Sequence, residues 1–214
     1  MMRIPLIRPY ITEEVKAKVL EVLDSGYLTE WLGTANGSFI NNGPTAGLFF
    51  FNDWKVAGTG DFNGDGKSDF LLRSDNGWLT EWLGTANGSF INNGPTAGLF
   101  FFNDWKIAGI GDFNGDGKSD FLVRQDGGQL SEWLGTANGS FINNGPTAGI
   151  SFTTDWKVAA IGDFNGDGFD DIVLRNDNGS VTDWLGTANG SFVNNGANFS
   201  TFLAPSWHVQ DHFL

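Results

Sequence analysis

Three short stretches of this chain combine side chains in a pattern that could hold a cation. The first runs Asp61-Phe62-Asn63-Gly64-Asp65-Gly66-Lys67-Ser68-Asp69, and residues 112–120 and 163–171 repeat its layout. Oxygen-bearing side chains recur at positions one, three, five and nine: Asp61, Asn63, Asp65 and Asp69, then Asp112, Asn114, Asp116 and Asp120, then Asp163, Asn165, Asp167 and Asp171. Calcium takes six to eight hard oxygen ligands at about 2.3–2.6 Å, and a tight turn with alternate side chains facing inward provides several from one segment. Gly66, Gly117 and Gly168 at position six permit the sharp turn that aims a position-seven backbone carbonyl inward, from Lys67, Lys118 or Phe169. Three carboxylates within nine residues repel one another at neutral pH unless a cation neutralises them. The expected ligand is Ca2+. Position twelve is Leu72, Val123 or Leu174 where an EF-hand has Glu, so affinity is expected in the range of extracellular modules, about 10⁻⁴ to 10⁻³ M.

Other chemistry is poorly provided for. The absence of cysteine removes disulfides and thiolate metal sites, and His208 and His212 have no nucleophile pattern beside them. Paired carboxylates for glycoside hydrolysis could be drawn only from the loop aspartates, whose oxygens the metal would occupy. No catalytic residues are expected. Nine Trp and twenty Phe invite a sugar-stacking reading, but aromatics recurring at fixed places in each repeat read as core. Trp78 is the exception, because its repeat equivalents are Gln129 and Ser180, and exposure is expected there. A carbohydrate-binding, lectin-like module is therefore the alternative. The Asn-Gly-Ser sequons at Asn36, Asn87, Asn138 and Asn189 read as turns.

The elements that must position the loops follow from a 51-residue period. The string Trp-Leu-Gly-Thr-Ala-Asn-Gly begins at Trp31, Trp82, Trp133 and Trp184, and residues 60–110 and 111–161 agree at 40 of 51 positions. Within one unit, Trp54–Gly60 enters the acidic loop and Phe70–Arg73 leaves it, both reading as strands. The turn Asp75-Asn76-Gly77 leads into an alternating strand at 78–83, and a fourth short strand is expected at Ser89-Phe90-Ile91. Four strands in about 50 residues match one blade of a β-propeller. The fold class is thus mostly β: a propeller-like array of four-stranded blades, three full repeats plus a partial one, over residues 28–214. Residues 27–59 give the later half of a unit and Trp207-His208-Val209-Gln210 one entering strand. These ends either combine into a defective fourth blade or join a second copy in a homo-oligomer that completes a larger ring.

Charge narrows the partners. A formal net charge of −13 repels nucleic acid and anionic membrane surfaces, leaving calcium ions and a protein or glycan partner. No apolar run approaches the roughly 20 residues of a membrane span, and the N-terminus lacks the apolar core of a signal peptide. A secreted or cell-surface location is expected, by an uncleaved or C-terminal signal.

The segment Gly60-Asp61-Phe62-Asn63-Gly64-Asp65-Gly66-Lys67-Ser68-Asp69-Phe70-Leu71 resembles the FG-GAP/VCBS repeats of integrin-like β-propellers, and the likeness extends over about residues 28–214. The resemblance implies blades with calcium in the loop after the first strand, frequently in exported proteins serving adhesion or carbohydrate-related roles. Residues 1–27 lie outside the repeat. Thr12 precedes Glu13-Glu14, apolar residues recur at Val15, Val19, Val22 and Leu23, and Gly26 follows, which predicts one amphipathic helix. The stretch from Ile4-Pro5-Leu6-Ile7-Arg8-Pro9 to Tyr27-Leu28-Thr29-Glu30 resembles the start of DegT-type sugar aminotransferases, which hold pyridoxal phosphate on a downstream Lys. No Lys here matches that position, so the likeness implies a truncated or fused relative without that catalytic group.

Overall fold

The computed structural model describes residues 53–94, 98–145 and 150–204, and before them four strands: β1 (Tyr27–Leu28), β2 (Trp31–Gly33), β3 (Phe39–Asn41) and β4 (Leu48–Phe49). The expected N-terminal helix, all of the aminotransferase-like segment 1–27 before Tyr27, and both histidines lie outside the described residues. Two compact units are distinguished, Met1–Asn52 with Asn87–Ser89, and Asp53–Ala86 with Phe90–Leu214.

The second unit contains three antiparallel sheets of one plan. The first comprises β5 (Trp54–Gly60), β6 (Asp69–Ser74), β7 (Trp78–Gly84), β8 (Phe90–Asn92) and β9 (Leu99–Phe100). The next comprises β10 (Trp105–Gly111), β11 (Asp120–Gln125), β12 (Gln129–Gly135), β13 (Phe141–Asn143) and β14 (Ile150–Ser151). The last comprises β15 (Trp156–Gly162), β16 (Asp171–Asn176), β17 (Ser180–Gly186), β18 (Phe192–Asn194) and β19 (Ser200–Phe202).

The entering strand falls where the sequence placed it. The fourth strand differs: it is split, with β8 pairing the end of β7 (Leu83 opposite Ile91) and β9 its start (Leu79 opposite Leu99). Each sheet is therefore a four-row blade whose outer row comes in two pieces. In the first unit, β2 pairs β3 with Leu32 opposite Ile40, and β1 pairs β4 with Leu28 opposite Leu48. Those registers lie 51 residues before the corresponding pairs of β7, so this stretch reproduces the outer half of a blade.

Strand phase explains the pairing. Leu71 and Leu79 of the first blade are buried with Phe62 against Phe121 and Val123 of the second, and Leu122 and Leu130 of the second are buried with Phe113 against Ile172 and Phe192 of the third. Both faces of the middle sheet are thus covered, which is why its strands are apolar at successive positions. The rings meet edge to face across each joint: Phe62 on Phe141 at 5.5 Å, and Phe113 on Phe192 at 5.4 Å between centroids. The inner strands approach so closely that a Cβ on Gly58 would stand 2.1 Å from Ile110 Cδ1, and one on Gly109 1.9 Å from Ile161 Cδ1. Phe62, Phe113, Phe121 and Phe192 are core, as the repeat pattern implied, whereas Phe164 is exposed.

Candidate cation-binding loops

Each acidic stretch connects the first and second strands of a blade, so two paired strands fix its ends: Gly60 lies opposite Asp69, Gly111 opposite Asp120 and Gly162 opposite Asp171. Inside the first loop, Asp61 accepts from the N–H of Asp65 (2.9 Å) and of Gly66 (2.8 Å), and Asn63 Oδ1 accepts from the same Asp65 N–H (3.0 Å). Two side-chain oxygens therefore converge on one point. Asp65 accepts in turn from Lys67 N–H at 3.0 Å. The second loop repeats this through Asp112, Asn114 and Asp116, and the third through Asp163, Asn165 and Asp167. The turn needs left-handed backbone at two residues per loop, supplied in the first by Gly64 (φ 73°) and Gly66 (φ 82°). A side chain on Gly66 would meet open space, so its requirement is conformational.

The position-nine aspartates also tie each loop to its sheet. Asp69, Asp120 and Asp171 are fully buried. Asp69 accepts from Phe62 N–H at 2.9 Å and Gly84 N–H at 2.8 Å, tying the loop to the end of β7. Asp120 joins Phe113 to Gly135 and Asp171 joins Phe164 to Gly186 in the same way. Burial raises the Asp69 carboxyl above the usual range, and the charges of Asp61 and Asp65 raise it further. Asp120 is pushed up to about 7 by burial, with Asp112 and Asp116 adding to the effect. The position-seven side chain takes part in two loops, where the Lys67 ammonium lies 3.0 Å from Asp65 and that of Lys118 2.9 Å from Asp116. Asp65 is held below the ordinary carboxylate range chiefly by its hydrogen bond with Lys67.

The loops thus bring the oxygens of positions one and three onto one backbone N–H and set position five on the N–H of position seven, while position nine accepts from backbone at the sheet. Among the described residues no three His, Asp or Glu side chains stand gathered as a metal cage. Binding an ion requires the loop carboxylates to exchange backbone N–H groups for it. The donor set is entirely hard oxygen, which suits calcium.

Across 61–123 and again across 112–174, the sequence matches the family model described as FG-GAP-like repeat, and residues 156–196 match that of the FG-GAP repeat. The chain belongs to the FG-GAP-like repeat family. No curated protein matches it. The loop-and-strand unit built from Asp61 to Val123 is accordingly one FG-GAP-like repeat together with the loop of the next.

Two features of these repeats escaped the sequence reading. Glu81 and Glu132 are fully buried between blades, and Asp183 holds the same place in the third. Asn93 Nδ2 donates to Glu81 Oε2 at 3.0 Å and to the Asn138 carbonyl of the next blade at 3.1 Å; Asn144 does the same for Glu132 (2.7 Å) and Asn189 (3.0 Å). One oxygen of each acid, Glu81 Oε1, Glu132 Oε1 and Asp183 Oδ1, has no hydrogen-bond partner. Strand phase carried the signal, because Glu81 and Glu132 share a face with buried Leu79 and Leu130. The sequons at Asn138 and Asn189 are turns, closed by Gly139 (φ 73°) and Gly190 (φ 74°). Trp78 is 50% exposed, and its ring is engaged edge to face by Phe100, which meets Phe102 in turn.

Proposed function

We propose that this FG-GAP-like repeat module is a non-catalytic calcium-binding protein, exported or displayed at the cell surface, in which calcium stiffens the loops and leaves their faces to a protein or glycan partner. The observation that carries the reading is the identical convergence of side-chain oxygens in all three loops, Asp61 with Asn63, Asp112 with Asn114 and Asp163 with Asn165, each pair on a single backbone N–H. The ligands are the side chains of positions one, three, five and nine and the carbonyls of Lys67, Lys118 and Phe169. The buried position-nine carboxylates, raised by burial and by their loop neighbours, gain most from a nearby cation. No helix among the described residues is long and apolar enough to cross a membrane.

Asp116→Ala tests the assignment through thermal melts with calcium and with chelator. A ligand that binds only the folded state stabilises it by RT ln(1 + [L]/Kd), about 1.4 kcal/mol per site at calcium ten times Kd. The variant is expected to lose that amount in calcium. In chelator it loses only about 1 kcal/mol, from the Lys118 ion pair and the Lys118 N–H that Asp116 accepts. Equal losses in both conditions would sink the assignment.

A further inference from the structure

Between the first two blades lies a pocket of about 190 Å³, walled by Phe101, Trp105 and Trp133, with Ser131 and Asn143 as its polar groups and the exposed rings of Phe100 and Phe102 at its edge. All of its lining belongs to those two blades. Trp78 continues the edge: its ring lies 5.3 Å from that of Phe100, which lies 5.3 Å from that of Phe102. The fold does not require these three aromatics, since the second blade has Gln129, Ser151 and Thr153 in their places and the third has Ser180, Phe202 and Ala204. Gln129, Ser151 and Thr153 are exposed on a blade that stands between the first and the third, so exposure belongs to these places in the repeat and not to an end of the array. The edge is fixed in advance. Arg73 donates to the carbonyls of Phe102 and Trp105, Trp105 N–H donates to the Phe102 carbonyl at 2.9 Å, and Phe101 N–H to that of Gly77 at 2.9 Å. Little ordering is left for a ligand to impose.

The lining selects the ligand class. No charged side chain lines the pocket, in a chain of formal net charge −13, so its charge complements a neutral ligand. A wholly apolar ligand would strip water from the half-buried Ser131 hydroxyl without replacing the hydrogen bond. The space is below the roughly 300 Å³ at which drug-sized sites begin, which limits the occupant to about one ring. A pyranose whose substituents are all equatorial meets these terms: its axial C–H bonds form a flat apolar face, its hydroxyls lie around the rim, and it carries no charge. The geometry points to a glycan site in this pocket, with the apolar face of one such sugar ring against the aromatic side chains and its hydroxyls on Ser131 and Asn143. The Asn143 amide is held for this by Gly145 N–H, which donates to its Oδ1 at 2.8 Å. Trp78, Phe100 and Phe102 carry the neighbouring sugars of a chain. The site rests on the glycan half of the function proposed above and on nothing in the calcium loops.

Calorimetric titration of the full chain in calcium with cellotetraose, a chain of equatorially linked glucose, tests this. The comparison is the triple variant Trp78→Gln, Phe100→Ser, Phe102→Thr, which gives the first blade the residues of the second. The wild type is expected to bind, and the triple variant to bind about tenfold more weakly or worse at an unchanged melting temperature, because the three rings are exposed. Phe102→Thr alone, at the most exposed of the rings, should weaken binding in the same direction. Glucitol, which has the hydroxyls without the flat ring face, should not bind. A wild type that ignores cellotetraose would overturn the proposal, and binding of N-acetylphenylalanine amide in its stead would make the pocket a seat for a peptide side chain. Equal binding by wild type and triple variant would place the sugar elsewhere, which overturns this site while the glycan reading stands. Binding of glucitol as tight as that of cellotetraose would overturn stacking as the means of recognition. Calcium binding by the loops is decided apart from all of these, by titration without sugar.

Discussion

Phe113→Ala is expected to destabilise the protein by about 3–5 kcal/mol, while Phe164→Ala, at the same place in the next repeat, costs under about 1 kcal/mol in dilute solution. The two residues share a loop position and differ in what lies over them. Phe113 is fully buried with Leu122, Leu130, Ile172 and Phe192, so truncating it removes the ring's transfer free energy and leaves a cavity between two sheets that their ladders prevent from collapsing. Phe164 is mostly in water already. Chemical denaturation of the two variants against wild type measures the difference. Similar values for both would mean that the blades do not pack through these rings.

The second large effect concerns the buried glutamates. Burial pushes Glu132 up to about 8, with Asp120 adding repulsion and the Asn144 bond opposing it. In the unfolded chain the same group titrates near 4.5. Between those values the unfolded state releases a proton that the folded state keeps, so rising pH favours unfolding. The stability associated with protonated Glu132 is full below about pH 4.5 and lost as pH passes through about 8. At about 1.4 kcal/mol per pH unit, the whole loss is on the order of a few kcal/mol. Glu81, pushed up to about 7, acts in the same direction over a narrower span. Glu132→Gln removes the charge and keeps an acceptor for Asn144. In chelator it should melt above wild type at pH 9, and the gap should close as pH falls toward 5. A gap independent of pH would show that Glu132 does not carry its proton inside the folded protein.

Much of this architecture was legible because the repeat writes each element at least three times. The strand before each loop, the hairpin after it and the turns at Asn138 and Asn189 follow from alternation and from glycine placement, which are local properties. The recurrence of oxygen-bearing side chains in the loops was legible from spacing alone. The tie that Asp69 makes to the sheet was not, because its hydrogen bonds with the Phe62 and Gly84 N–H groups depend on where β7 ends, fifteen residues away. Glu81 was missed for a related reason: an acid in an alternating strand reads as solvent-facing, and only the phase shared with Leu79 points inward. The pairing of Gly58 with Ile110 depends on contacts between blades, which no single repeat displays.

Calorimetric titration of chelator-stripped protein with calcium tests the central claim most directly. The three loops predict about three binding events with dissociation constants near 10⁻⁴ to 10⁻³ M, accompanied by a rise in melting temperature. No heat and no change in melting at millimolar calcium would contradict it, and would leave the loops as hydrogen-bonded turns held by their own aspartates.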